Sequence, residues 1–332
     1  MNKLAAVNLV PSLFASLVSL GSLVMLPSCD VPLQEVYPLQ SETSLPEGVA
    51  YDTVTHTFFA TAINGGKITR VTPLGQEIVF HSDANPNRSF GGAHVDEDNR
   101  RLWVCVVDVK TNPFPTSQVW AFNIESKKRT HVIPLPPVSF CNDLVTDDAG
   151  RVYVTDSANP NIYRVDPATQ SFSVFLTSPT FNPIQPGMPA LNGIDLSPDG
   201  DRLLAVTSFP AGVYSIPVAN PQSFVAVQTS GDPFAMPGDP RFPGPDGAEF
   251  LDDRLYVAYD GGVQQLTFGD PDFTQAAVAT TTAVPTGLTS LTVAEGQLYA
   301  IDSEVFRVLY TNQPPELPFT ILHVDLGLFD AQ

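Results

Sequence analysis

Four oxygen-bearing side chains recur at one phase of a long repeat: Glu47, Asn142, Asn192 and Asp246. They open the segments Glu47-Gly48-Val49-Ala50, Asn142-Asp143-Leu144-Val145, Asn192-Gly193-Ile194-Asp195 and Asp246-Gly247-Ala248-Glu249. Gly91-Gly92-Ala93-His94 and Thr286-Gly287-Leu288-Thr289 begin two further segments, and successive starts lie 40 to 54 residues apart. Two carboxylates and two amide carbonyls are hard oxygen donors with two negative charges between them. Such a set suits Ca²⁺, with water or substrate in the remaining positions; Mg²⁺ demands a stricter octahedron, and another divalent cation is the alternative. Turn chemistry accounts for one Asn or Asp before Gly. It does not account for four at one phase, and Glu is not a favoured turn residue.

Asp246, at once ligand and carboxylate, is the candidate nucleophile or the base that activates water. Glu249, three residues on, and Asp195, at the matching place one repeat earlier, are candidates to orient it, with an ordinary strand position as the alternative. His94 follows Gly91 by three residues and is the histidine placed to approach the same site, for proton transfer or as a hydrogen-bonded core residue.

The elements that must position these groups are strands. Each start leads through a turn into a second strand rich in β-branched and aromatic residues, such as Leu102-Trp103-Val104-Cys105, Val152-Tyr153-Val154-Thr155 and Leu255-Tyr256-Val257-Ala258. Third strands follow, among them Asn161 to Val165 and, in the last repeat, Val305-Phe306-Arg307-Val308-Leu309. Fourth strands such as Phe172 to Leu176 complete each unit. Gly and Pro punctuate the chain, and no run of ten residues has a strong helical period. The expectation is an all-β chain folded as a six-bladed β-propeller with four-stranded blades, spanning residues 45–332. The inner strands of such a fold line a central channel, so the six starts form a ring near one end of it. Residues 29–44 are a linker or supply a strand that closes the last blade.

The 332 residues carry 16 Lys and Arg against 35 Asp and Glu, a net charge of −19, and charged residues are only 15% of the chain. An acidic surface without a basic cluster repels phosphate backbones, so nucleic acid is excluded as a partner. Residues 1–28, with Lys3 before an apolar run, read as an export signal, which makes the mature chain secreted or otherwise extracytoplasmic. Cys29 is then a candidate lipid attachment point, and no later segment is long and apolar enough to span a membrane. Cys105 and Cys141 could pair in an oxidising compartment. Their apolar, strand-like surroundings suit two buried thiols better.

The motifs Pro46-Glu47-Gly48, Asn142-Asp143, Asn192-Gly193 with Ser197-Pro198-Asp199-Gly200, and Pro245-Asp246-Gly247 resemble those of the gluconolactonase/regucalcin (senescence marker protein-like) family. The calcium-centred diisopropylfluorophosphatase-type propellers share that plan. The resemblance spans roughly Leu45 to Val324. It implies a divalent metal held by Glu47, Asn192 and Asp246, with Asn142 as a fourth ligand or substrate contact. One departure bears on substrate. Sugar-lactone hydrolases of the family usually carry Arg two residues before the third-repeat Asn, where this chain has Phe140. Phe140, Phe90 and the Pro-rich stretches 112–115, 181–189 and 234–245 suggest a less polar mouth. The resulting expectation is a monomeric, metal-dependent hydrolase of a small lactone, ester or phosphotriester. A non-catalytic extracellular binding propeller with a structural calcium, or a tailoring enzyme of secondary metabolism, are the alternatives.

Overall fold

The computed structural model describes residues 31–108, 116–184, 187–230, 244–259, 261–281, 284–285 and 287–329. The expected leader with Cys29, Thr286, and all or part of each Pro-rich stretch lie outside them. Six small sheets make a six-bladed propeller. From the inner strand outward, blade 1 runs Pro46–Asp52, Thr57–Ala62, Lys67–Val71 and Glu77–Ser82. Blade 2 runs Arg88–Asp96, Arg101–Asp108, Thr116–Asn123 and Arg129–Pro134, and blade 3 runs Cys141–Thr146, Val152–Asp156, Asn161–Asp166 and Ser171–Thr177. Blade 4 runs Leu191–Leu196, Arg202–Thr207, Gly212–Pro217 and the short Val225–Ala226. Blade 5 runs Ala248–Leu251, Arg254–Tyr259, Gly262–Phe268 and Gln275–Thr281, and Gln228–Ser230 adds a parallel fifth strand to its outer edge.

The second strands explain why the blades stack. Their apolar runs are unbroken because alternate residues face opposite sides of a sheet whose two faces are both covered. Leu102 and Val104 join Phe59, Phe90 and Trp120 in the cluster between blades 1 and 2. Trp103 and Cys105, one residue out of step, join Val154 and Tyr163 between blades 2 and 3. Six clusters of this kind fill the six junctions.

Blade 6 departs from the local pattern. Its inner strands are Leu288–Ala294 and Gln297–Asp302, but Val305–Thr311 is an α-helix where a third strand was expected. Thr320–His323 takes the third place, and Val36–Pro38 pairs with it as the fourth, Val36 opposite Leu322. Alternating Val, Phe, Val and Leu read as a strand. Here Val305 and Val308, spaced for one helix face, pack against the Tyr37, Phe58 and Tyr299 cluster instead. Tertiary packing decides the conformation of such a short run. The segment 29–44 thus contains the closing strand, which joins the two ends of the described propeller.

Cys105 and Cys141 are joined by a disulfide, with Cα atoms 5.3 Å apart. The expectation of two thiols is corrected by stacking. The second strand of blade 2 lies against the inner strand of blade 3, an adjacency that no local pattern reveals. Phe90 is likewise corrected: it is fully buried beside Trp120 and lines no mouth.

Candidate functional site

The inner strands are not regular where the candidate ligands sit. In blades 1 to 4 the register shifts between Pro46 and Val49, Phe90 and Ala93, Cys141 and Leu144, and Leu191 and Ile194. Each shift is a β-bulge, which re-aims a side chain that a flat strand would turn into a blade face. Glu47, Gly91, Asn142 and Asn192 are the first bulged residues. In blade 6 the shift falls between Leu288 and Ser290, so Thr289 holds the phase assigned to Thr286 from sequence.

Backbone carbonyls at this phase are tied from blade to blade. Thr289 Oγ1 donates to Glu47 O at 2.7 Å, and Thr61 Oγ1 to Gly91 O at 2.7 Å. Thr155 Oγ1 donates to Asn192 O at 2.6 Å. The Gly193 N–H donates to Asp246 O at 3.0 Å and the Gly247 N–H to Thr289 O at 2.8 Å. Close approach is what the second bulge position demands. A Cβ on Gly193 would stand 2.4 Å from Asp246 O, and one on Gly92 would stand 2.3 Å from the Asp143 carboxylate. Glycine keeps adjacent blades at this spacing.

Glu47, Asn142, Asn192 and Asp246 are thereby brought to one ring. Glu47 Oε2 and Asn192 Oδ1 are buried and have no hydrogen-bond partner. Asn192 Nδ2 donates to Ser208 Oγ at 2.8 Å, and that hydroxyl donates to Pro245 O at 2.7 Å, which turns the amide oxygen away from protein donors. Burial pushes the Glu47 carboxyl well above its usual range, and Asp246 and Asp143 add repulsion. Asp246 is raised in the same direction by burial and then by Asp143, against a hydrogen bond from Asn192. Buried, unpartnered oxygens facing like charge are what a cation would satisfy. Among the described residues no three His, Cys, Asp or Glu side chains suffice for a metal by themselves. The amides of Asn142 and Asn192 are needed to complete a set with Glu47 and Asp246.

Of the other predicted residues, Asp195 and Glu249 form hydrogen bonds between blades further along the inner strands. Asp195 Oδ2 accepts the Phe250 N–H of blade 5 at 2.6 Å, and Glu249 Oε1 accepts the Val293 N–H of blade 6 at 3.2 Å. Asp143, which sequence reasoning left unassigned, does the same one blade earlier, with the Ile194 N–H at 3.2 Å. Burial raises Asp143 and Asp195 to about 7 and Glu249 well above its usual range. These three latch successive blades together. His94 is held near 4 by burial, against Asp96, and so is neutral at pH 7. Phe140 packs against the Cys105 and Cys141 cluster and gives its N–H to Asp156 at 2.9 Å. Asp and Glu recur in the inner strands, but only register shows that they bond across blades.

A model of the SMP-30/gluconolactonase/LRE-like region matches residues 45–299. No curated protein matches. Among solved structures, the major allergen Mala s 1 of Malassezia sympodialis superposes with a TM-score of 0.67 at 17% identity, over 90% of this chain and 98% of that one. A regucalcin described as calcium-binding, from Agrobacterium tumefaciens, gives 0.61 at 14% identity, over 88% and 95%. A gluconolactonase from Xanthomonas campestris gives 0.59 at 14% identity, over 87% and 89%. At these identities the likeness is one of fold.

Proposed function

The chain belongs to the SMP-30/gluconolactonase/LRE-like family, and from that premise we propose that it is a divalent-metal-dependent hydrolase of a small lactone or related ester. The observation that carries the reading is the pair of buried, unpartnered oxygens, Glu47 Oε2 and Asn192 Oδ1, at one phase with Asp246 and Asn142. Those four residues would hold the cation, and their all-oxygen chemistry favours Ca²⁺. A bound ion supplies a Lewis acid that polarises the substrate's carbonyl oxygen.

The protein's own groups do the rest. Asp246 accepts the proton of the attacking water, with the Asn192 side chain beside its carboxylate. The Ser208 hydroxyl accepts from Asn192 Nδ2 and so fixes that side chain. The Asp195 and Glu249 latches keep blades 4, 5 and 6 in register. Phe140, in place of a basic side chain, favours a substrate less polar than a sugar lactone. A phosphotriester would meet the same polarising cation and the same base. The Cys105–Cys141 bridge supports an oxidising, extracytoplasmic setting.

The test is a panel of aliphatic and sugar lactones, aryl esters and a phosphotriester, assayed with Ca²⁺ and with EDTA. Turnover that EDTA abolishes is expected for at least one member. Asp246→Asn keeps the size of the side chain and removes the base, so it should remain folded and lose turnover. Unchanged turnover in that variant contradicts the role given to Asp246.

A further inference from the structure

Asp156 and Asp302 occupy one position of the repeat. Each ends a second strand, Asp156 opposite Cys141 and Asp302 opposite Leu288, the residues just before the inner-strand bulges. Asp156 is fully served. Its carboxylate accepts the N–H groups of Phe140, Ala158 and Asn159, the Asn159 amide, and the Tyr163 hydroxyl at 2.9 Å. Asp302 is only 8% exposed, and its Oδ1 has no hydrogen-bond partner.

Strand register gives one reason. Tyr163 pairs with Val154, two residues before Asp156, and Leu322 pairs with Ala300, two residues before Asp302. Leucine therefore stands where blade 3 has the phenol that serves its aspartate. Beside it lies a recess of about 320 Å³ bounded by Asp302, Leu322, Val36, Pro285, Leu317 and Pro318. A carboxylate oxygen facing apolar walls without a donor is costly, and a native fold that keeps one calls for an explanation.

The charged side chains that line the recess have one sign. Glu316 also borders the recess, and Glu304 and Glu316 both act repulsively on Asp302. Arg307 pairs with Glu316 at 2.7 Å and lies 3.6 Å from Glu304, which leaves Asp302 unneutralised. Burial, with those two neighbours adding to it, raises Asp302 to about 7. Among the described residues these acids do not converge as a metal site, and the walls are largely hydrocarbon. Both facts favour a cation that carries its own apolar arm.

We propose that the blade 6 recess is a binding site for a small organic ammonium ion, its charge against Asp302 and its apolar arm against Leu322, Val36 and Leu317. The site is separate from the axial ring, since none of the ring residues borders it. Charge-assisted hydrogen bonding to Asp302 would supply the donor that Tyr163 supplies in blade 3.

Benzylammonium and benzyl alcohol are suitable probes, because they share an apolar arm and differ in charge. Their binding to the full chain would be followed by calorimetry and by the shift in melting temperature at millimolar ligand. Benzylammonium should bind the native protein and bind Asp302→Asn about tenfold more weakly or worse, while benzyl alcohol should not discriminate between them. Leu322→Tyr restores the blade 3 arrangement, and should melt higher than the native protein and lose amine binding. Asp246→Asn should retain amine binding, which separates this site from the hydrolytic one. Equal affinity of Asp302→Asn for the amine, equal affinity of the native protein for amine and alcohol, or no amine binding at all would each overturn the proposal.

Discussion

Breaking the Cys105–Cys141 bridge should loosen the propeller and the candidate site together, because Cys141 immediately precedes Asn142. The bridge closes a loop with a sequence separation of 36 residues. Loop-closure entropy for that length corresponds to about 4 kcal/mol at 25 °C. Spread over the unfolding entropy of a domain near 300 residues, that is about 6 °C in melting temperature. The double variant Cys105→Ala/Cys141→Ala avoids placing new hydroxyls in a junction where both residues are fully buried. Differential scanning calorimetry of the variant, and of native protein with and without reductant, measures the loss. Calcium titration of the same samples should show weaker binding in the variant, since the inner strand of blade 3 is freed from blade 2 next to a proposed ligand. A variant that melts within about 1 °C of the native protein would refute the argument from loop closure. Unchanged calcium affinity would refute the link to Asn142.

Further outcomes follow from the ring and the carboxylate latches. Gly193→Ala places a methyl group 2.4 Å from Asp246 O, so blades 4 and 5 must separate, and calcium affinity should fall by about tenfold or more; calorimetric titration checks this. Asp195→Ala strands the Phe250 N–H and should cost about 1 to 3 kcal/mol in urea unfolding, whereas Asp195→Asn keeps an acceptor and should cost less. In metal-free protein Asp143 and Asp195 have folded pKa values of about 7, raised above the ordinary value of about 4. Their contribution to stability is therefore present below pH ~4 and lost as pH rises through ~7. EDTA-treated protein should melt higher at pH 5 than at pH 8, and calcium should reduce the difference. A melting temperature that rises steadily from pH 5 to 8 without metal would contradict the assignment.

The blade count and the ring were legible because both are written in periodicity. Second strands such as Leu102 to Cys105 and Leu203 to Val206 repeat one apolar pattern, and Glu47, Asn142, Asn192 and Asp246 fall at one phase of it. What was not legible depends on register and on contacts between blades. Thr289 rather than Thr286 holds the sixth phase because a one-residue bulge decides it. Val305 to Leu309 alternates like a strand, yet the third place in blade 6 goes to Thr320–His323, which the N-terminal strand can also pair with. The disulfide and the carboxylate latches join residues on adjacent blades, and nothing in the local sequence around Cys105, Asp195 or Glu249 names the partner. Asp302 and Asp156 end matching second strands. The pairing of Leu322, in place of a tyrosine, is one of the differences that separate a satisfied aspartate from an unsatisfied one.

The central claim is that the four phase-matched residues form a cation site on which turnover depends. Its most direct test is calorimetric titration of calcium into EDTA-stripped native protein and into Glu47→Gln, which keeps the side-chain shape and removes one of the two ring charges. Stoichiometric binding by the native protein, weakened by about a hundredfold or more in the variant, is the predicted result. Equal binding by the two proteins, or none by the native protein, would contradict the account.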